Sequence, residues 1–321
     1  MGQAHCNERD ADGQRSRRRA IVPARYAWRY ITICRNHGPL EQSAGTIIGT
    51  FIGKIGPGQA RRAFVAAVFA LAVLTPLRPA AAAQPPLVAA AADLQFALPD
   101  IAREFTRETG QEVGLVFGSS GNFRRQIEDG APFELFLSAD QSYVNQLARE
   151  GRTVDAGVVY AVGRLALFVP KGSPIVADPQ LRGVARALAD GSLRKFAIAN
   201  PEHAPYGRAA RQALQRARLW QAIEPRLVLG ENISQTAQFA VSGAAQGGIV
   251  AYSLVQSKAL AGRGDYALLP LSTYDPLVQK MVLLKGAGDA ARAFYRYLQG
   301  PAARAGFDRY GFETPAPAAA R

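Results

Sequence analysis

Between residues 87 and 312, short apolar runs alternate with stretches whose apolar positions recur every three or four residues. The wholly apolar run 87–91 predicts a strand covered on both faces. Leu98, Ile101, Ala102 and Phe105 then fall on one face of a helix that Gly110 stops. Strands at 113–117 and 135–137 each run into small and hydroxyl residues, followed by helices through Ile127 and through Tyr143, Val144 and Leu147. A strand at 165–169 is stopped by Pro170 and Gly172. The same rhythm pairs strand 196–199 with helix 208–217 and strand 227–229 with helix 234–241. Strands at 248–251 and 278–284 follow, and Asp289 is placed to cap a last helix at 290–298. This alternation predicts an α/β fold with mixed, mainly parallel sheets, and neither a solenoid repeat nor a long linker interrupts it.

Upstream the pattern changes. Residues 63–74 are twelve apolar residues behind Arg61 and Arg62, broken by Pro76, Arg78 and Pro79 and followed by Ala80–Ala83. Twelve residues are too few for a spanning helix, which needs about 20. A basic start, a short apolar run and an Ala-x-Ala site together predict a cleaved export signal over 61–83, cut after Ala83. Residues 1–60 are Arg-rich and without period, and are read as a disordered extension. Met1 and Met281 are the only methionines, so we expect translation to begin near residue 61 at a non-Met codon. N-terminal sequencing of the unprocessed precursor checks this, and a start at Met1 would refute it.

Charge changes meaning once it is partitioned. The chain carries 38 Lys and Arg against 25 Asp and Glu, a net +13 that by itself points toward nucleic acid or an acidic membrane. Twelve of those bases and four of those acids lie in residues 1–83, whereas 26 and 21 are interspersed through the remainder. No basic stripe survives, which argues against a nucleic-acid partner. Both cysteines, Cys6 and Cys34, also lie upstream, and three histidines in all argue against a His-rich metal site.

Four strand-to-helix junctions carry the candidate chemistry: Ala92-Asp93, Ser119-Ser120-Gly121, Pro205-Tyr206-Gly207 and Asn232-Ile233-Ser234. In open α/β sheets ligands bind beyond the carboxyl ends of the strands, where helix N-termini present unpaired N–H groups to anions. Each junction taken singly is most simply a cap or a turn. Four across two halves of the chain suggest one shared anion site.

Val116 to Asn122, Gln126 to Phe133, Leu137 to Gln141, Asn200 to Gly207, Glu231-Asn232-Ile233, Gly248-Ile249-Val250 and the stretch 295–312 together resemble the periplasmic molybdate-binding proteins of ABC importers. The resemblance covers 87–313 in one order. It implies a two-lobe type II periplasmic-binding fold with the ligand cleft between lobes, lobe one formed by 84–164 plus 271–321 and lobe two by 165–270. It further implies a non-enzymatic receptor without a cofactor, which takes molybdate or tungstate through neutral donors. As the family's residues map here, Ala92, Asp93, Ser119, Ser120, Tyr206 and Ile233 form the oxyanion site, with no side chain on the metal itself. The partners implied are that oxyanion and a membrane permease, for a monomer free in the periplasm.

Asp93 departs from the family's Ser or Thr-Asn, and an ionised carboxylate beside a dianion costs several kcal/mol at about 4 Å and reduced dielectric. It is read either as a helix N-cap whose side chain bonds its own helix, or as an acceptor for a protonated ligand. The second reading leads to an alternative receptor for phosphate, sulfate or a small carboxylate. His203 is assigned a structural or rim role, Tyr252 the wall or hinge, and Trp220 packing in lobe two. A more distant alternative is an enzyme on the same fold, but porphobilinogen deaminase holds its cofactor through a cysteine that 84–321 lacks.

Overall fold

A computed structural model describes residues 84–315; the expected leader and extension lie outside them. Ten strands form two five-stranded sheets of orders β2-β1-β3-β10-β4 and β7-β6-β8-β5-β9. The first holds β1 (Leu87–Ala91), β2 (Gly114–Gly118), β3 (Phe133–Ser138), β4 (Val158–Gly163) and β10 (Leu277–Leu283). The second holds β5 (Leu165–Pro170), β6 (Phe196–Ala199), β7 (Leu227–Gly230), β8 (Gly248–Ala251) and β9 (Gly264–Leu268). Each sheet is the core of one lobe. Parallel pairing is confined to β2-β1-β3 and β7-β6-β8, and the other strands pair antiparallel, so the sheets are mixed in equal parts.

The first sheet shows why its strands read as unbroken apolar runs. Val88, Ala90, Leu135, Leu137, Met281 and Leu283 face the helices Ala97–Thr109, Asp289–Tyr297 and Pro301–Arg309. Ala89, Phe136, Val282 and Leu284 take the opposite face, with Phe123, Ile127, Val144 and Leu147 of helices Ser120–Glu128 and Gln141–Arg149. Successive strand residues point to opposite faces, and both faces are covered. Helix Ala97–Thr109 closes at Gly110 in the left-handed region (φ 72°), as its pattern predicts. The end of the chain differs from expectation. Gly288, not Asp289, is the N-cap of the 289–297 helix, and a further helix, Pro301–Arg309, follows with proline in its first turn.

Only Arg164 separates β4 in the first sheet from β5 in the second, and residues 269–276 carry the chain back from β9 to β10. These two crossings touch. Leu269 N–H donates to the Leu165 carbonyl (3.0 Å), and Leu165 N–H donates to the Tyr274 hydroxyl (3.1 Å). Tyr252 N–H donates to the Arg164 carbonyl (2.9 Å), which seats Tyr252 at the crossing rather than in the cleft. Trp220 packs on the core of the second sheet beneath the Arg211 guanidinium.

Candidate functional site

The carboxyl ends of β1, β2, β6 and β7 meet between the lobes. Around them lies a small cavity lined by Ala91, Ala92, Asp93, Gly118, Ser119, Ser120, Ala139, Ala204, Pro205, Tyr206, Asn232 and Ile233. All six residues singled out from the sequence therefore share one cavity, four from the first lobe and two from the second. No Lys or Arg lines it. Helices Ser120–Glu128, Pro205–Arg216 and Ile233–Val241 all begin here, so their positive ends converge on it. Among the described residues no cluster of His, Cys, Asp and Glu is placed to hold a metal ion.

Each junction spends its polar groups differently. Asn232 is the N-cap of its helix, and its side chain accepts from the N–H groups of Ser234 and Gln235, both 3.0 Å away. Ile233 is then the first helical residue, with its N–H not taken by that cap. Ser120 Oγ accepts from Ala139 N–H (3.0 Å), which leaves the hydroxyl proton to be donated. Ser119 occupies the N-cap position without a side-chain cap bond. Its hydroxyl instead donates across the cleft to the His203 carbonyl (2.5 Å), and Gly121 N–H donates to the same oxygen (3.1 Å). The His203 ring keeps to a structural place, with Nδ1 3.0 Å from Ser119 Oγ and Nε2 3.5 Å from Glu231.

Other contacts close the rim. Asn122 bonds Glu231, Gln95 receives the Ser234 hydroxyl, and Arg208 pairs with Asp140 while lying 5.2 Å over the Tyr143 ring. In each pair the two residues come from different lobes, so the geometry is that of a closed cleft.

Asp93 does not cap a helix. It lies in the short 3-10 turn Ala92–Leu94, whose N-cap, Ala91, makes no side-chain cap bond, so Asp93 is not the N-cap. Its Oδ2 accepts from the Tyr206 hydroxyl (2.8 Å) and from Gln279 Nε2 (2.5 Å). The Tyr206 proton expected to point at an oxyanion is thus held by Asp93. Gln279 also approaches the Tyr206 hydroxyl (3.1 Å) and accepts from the Tyr160 hydroxyl through its Oε1 (2.6 Å). Asp93 Oδ1 is buried and unpartnered. Burial pushes the Asp93 carboxyl up to about 6, against the lowering pull of Gln279 and Tyr206. Burial, and then the Asp93 charge, hold the Tyr206 and Tyr160 phenols well above their ordinary range.

Gln279 is the site residue that the sequence reading missed. It sits on β10 between Leu277 and Met281, in the row that faces the core, and is fully buried. A lone amide in an apolar row was the available signal. Gly163, at the end of β4, makes room for this network: a Cβ there would strike the Tyr206 hydroxyl and Gln279 Nε2.

The bacterial extracellular solute-binding protein family matches residues 86–313. The molybdate-binding protein ModA of Rhodobacter capsulatus is 40% identical over 248 residues, covering 76% of this chain and 94% of its own. ModA of Azotobacter vinelandii is 39% identical over 228 residues, covering 70% and 88%. Among solved structures, the periplasmic molybdate-binding protein of Azotobacter vinelandii matches with a TM-score of 0.66 at 31% identity, over 72% of this chain and all of that one. The chain belongs to the bacterial extracellular solute-binding protein family, among the relatives of the molybdate-binding proteins.

Proposed function

We propose that this chain is a periplasmic receptor that captures molybdate, or its near-isostere tungstate, between its lobes and delivers it to an ABC importer permease. The observation that carries this reading is the convergence of six residues from both lobes on one small cavity with no lysine or arginine in its lining. Such a cavity suits an oxyanion held by neutral donors: backbone N–H groups of the 92–94 turn, of Ser120 and of Ile233, and the Ser120 hydroxyl. Because donors come from lobe one (84–164 plus 271–321) and lobe two (165–270), the anion bridges them, and binding is coupled to closure at the two crossings. Two relatives named for molybdate binding support the choice of ligand. The role is binding without chemistry: the Ser119 hydroxyl and the His203 ring are committed to the contact between the lobes, and Ser120 Oγ meets a backbone N–H rather than a base.

Thermal melting against a panel of oxyanions tests the reading, since a ligand that binds only the folded state raises the melting point. At 100 times its Kd such a ligand adds about 2.7 kcal/mol. Molybdate and tungstate are expected to raise the melting temperature of the exported form in the millimolar range, with phosphate and sulfate well behind. A shift with phosphate and none with molybdate would overturn the assignment.

A further inference from the structure

Asp93 lines a cavity proposed to hold an anion, and its carboxyl is buried there. The cavity offers no compensating cation. From helix Pro205–Arg216 the carboxyl faces Tyr206, from β10 Gln279, and from β4 the Tyr160 hydroxyl beyond Gln279. Tyr274, on the second crossing, contributes to the field at Tyr206. Helix Tyr252–Val255 supplies the Ser253 hydroxyl, which donates to the Asp93 carbonyl (2.8 Å). The β2 end adds Ser119 and Ser120, and the 200–204 loop adds His203, whose ring is engaged by Ser119 and Glu231. None of these side chains is a lysine or an arginine.

Two donors fix Oδ2, whereas Oδ1 is buried with no partner. A carboxylate in that position repels a dianion; a carboxylic acid with its proton on Oδ1 donates to one. We infer that this receptor takes up its oxyanion together with one proton, which sits in a hydrogen bond between Asp93 Oδ1 and a ligand oxygen, with Tyr206 and Gln279 holding the other carboxyl oxygen in register.

The proton comes from solution, whether it arrives on the carboxyl or on the anion, and no bond other than O–H is made or broken. Burial has already raised this carboxyl to about 6, and a dianion beside it raises it further, so at neutral pH the free site is largely ionised and the loaded site protonated. Affinity is then unaffected by this group below about pH 6 and weakens up to tenfold per pH unit above it, until the carboxyl of the complex itself ionises. Asp93 is thereby a specificity-determining residue against sulfate, whose oxygens are less basic than those of molybdate and share the proton less well.

The inference rests on the oxyanion-receptor reading, and the test separates the two. Molybdate is titrated into the exported form by calorimetry at pH 6.5, 7.5 and 8.5, in buffers of differing ionisation enthalpy. Uptake of close to one proton per anion at pH 7.5 is expected, with Kd rising steeply across the series. Asp93→Asn, which presents an N–H without titrating, is expected to bind molybdate with no proton uptake and little pH dependence, and more tightly than wild type at pH 8.5. Asp93→Ser serves the same purpose if the asparagine form does not fold, and the wild-type proton count stands without either variant. Tight molybdate binding with no proton uptake and a constant Kd overturns the inference but leaves the receptor intact. Proton uptake that persists in Asp93→Asn also overturns it, and places the proton elsewhere, as on His203. Absence of molybdate binding at every pH overturns the receptor reading instead.

Discussion

Gly121→Ala is expected to weaken oxyanion capture roughly ten- to a hundredfold, taking about 1–3 kcal/mol for an overpacked contact and 1.4 kcal/mol per tenfold. The lobe that carries it is expected to stay folded. Gly121 lies in the first turn of helix Ser120–Glu128, where alanine is the better helix former by about 1 kcal/mol. Its cost falls wholly on closure. An added Cβ would lie 2.5 Å from the His203 carbonyl oxygen of the other lobe and 2.9 Å from the Tyr143 hydroxyl. The tyrosine can swing away, but the carbonyl cannot, because the Gly121 N–H and the Ser119 hydroxyl both hold it. To admit the methyl group the lobes must part, and parting widens the cavity that the donors are meant to close around. Titration calorimetry with molybdate measures the loss, and small-angle scattering of the ligand-loaded protein should show a larger radius than wild type. An unchanged Kd would mean that this contact does not govern closure.

The same contact shows what was legible in the amino-acid pattern. Ser119, Ser120 and Gly121 stand out because a strand end, a hydroxyl pair and a helix start coincide there, and parallel strands bring such junctions to one edge of each sheet. The cross-lobe partner, the His203 carbonyl, carries no side-chain identity, so no residue pattern announces it. Strands covered on both faces were also visible, as at β1, β6 and β8. The missed strands, β4 and β9, are edge strands. β9 begins Gly-Asp-Tyr with Asp265 and Tyr266 exposed, and so shows no apolar run. β4 runs through a single residue into β5, so one long β-like stretch conceals the passage from one lobe to the other. Asp93 stands out in the sequence as a departure from the family's Ser or Thr-Asn, and of its two readings the fold removes the N-cap one. Its partners lie 113 and 186 residues further along the chain, and only the assembled fold brings them together.

Those partners set the largest stability effect expected in the molecule. Gln279→Leu should destabilise the ligand-free protein by about 3–5 kcal/mol at pH 7.5, because two buried groups lose their partners at once. Asp93 Oδ2 loses a charge-assisted bond worth about 1.5–3 kcal/mol, and the Tyr160 hydroxyl loses its acceptor at a cost of about 1–3 kcal/mol. Leucine matches the row formed with Leu277 and Met281, so volume is largely conserved and the deficit is polar in origin. Its pH dependence has a definite sign. Asp93 titrates higher in the folded chain, near 6, than the ordinary 3.8, so the folded state holds the proton more tightly and stability falls as pH climbs from about 4 through 6. Removing the Gln279 donor raises the folded value further, which extends that fall to higher pH. The deficit relative to wild type should therefore be smaller at pH 4.5, where only the tyrosine is stranded, and should grow above pH 6. Urea denaturation at pH 4.5 and 7.5 measures both. In the double variant Asp93→Asn/Gln279→Leu the growth with pH should disappear while the cost at Tyr160 remains. A deficit equal at the two pH values would show that Gln279 supports only the tyrosine and that the Asp93 charge is held by Tyr206 alone.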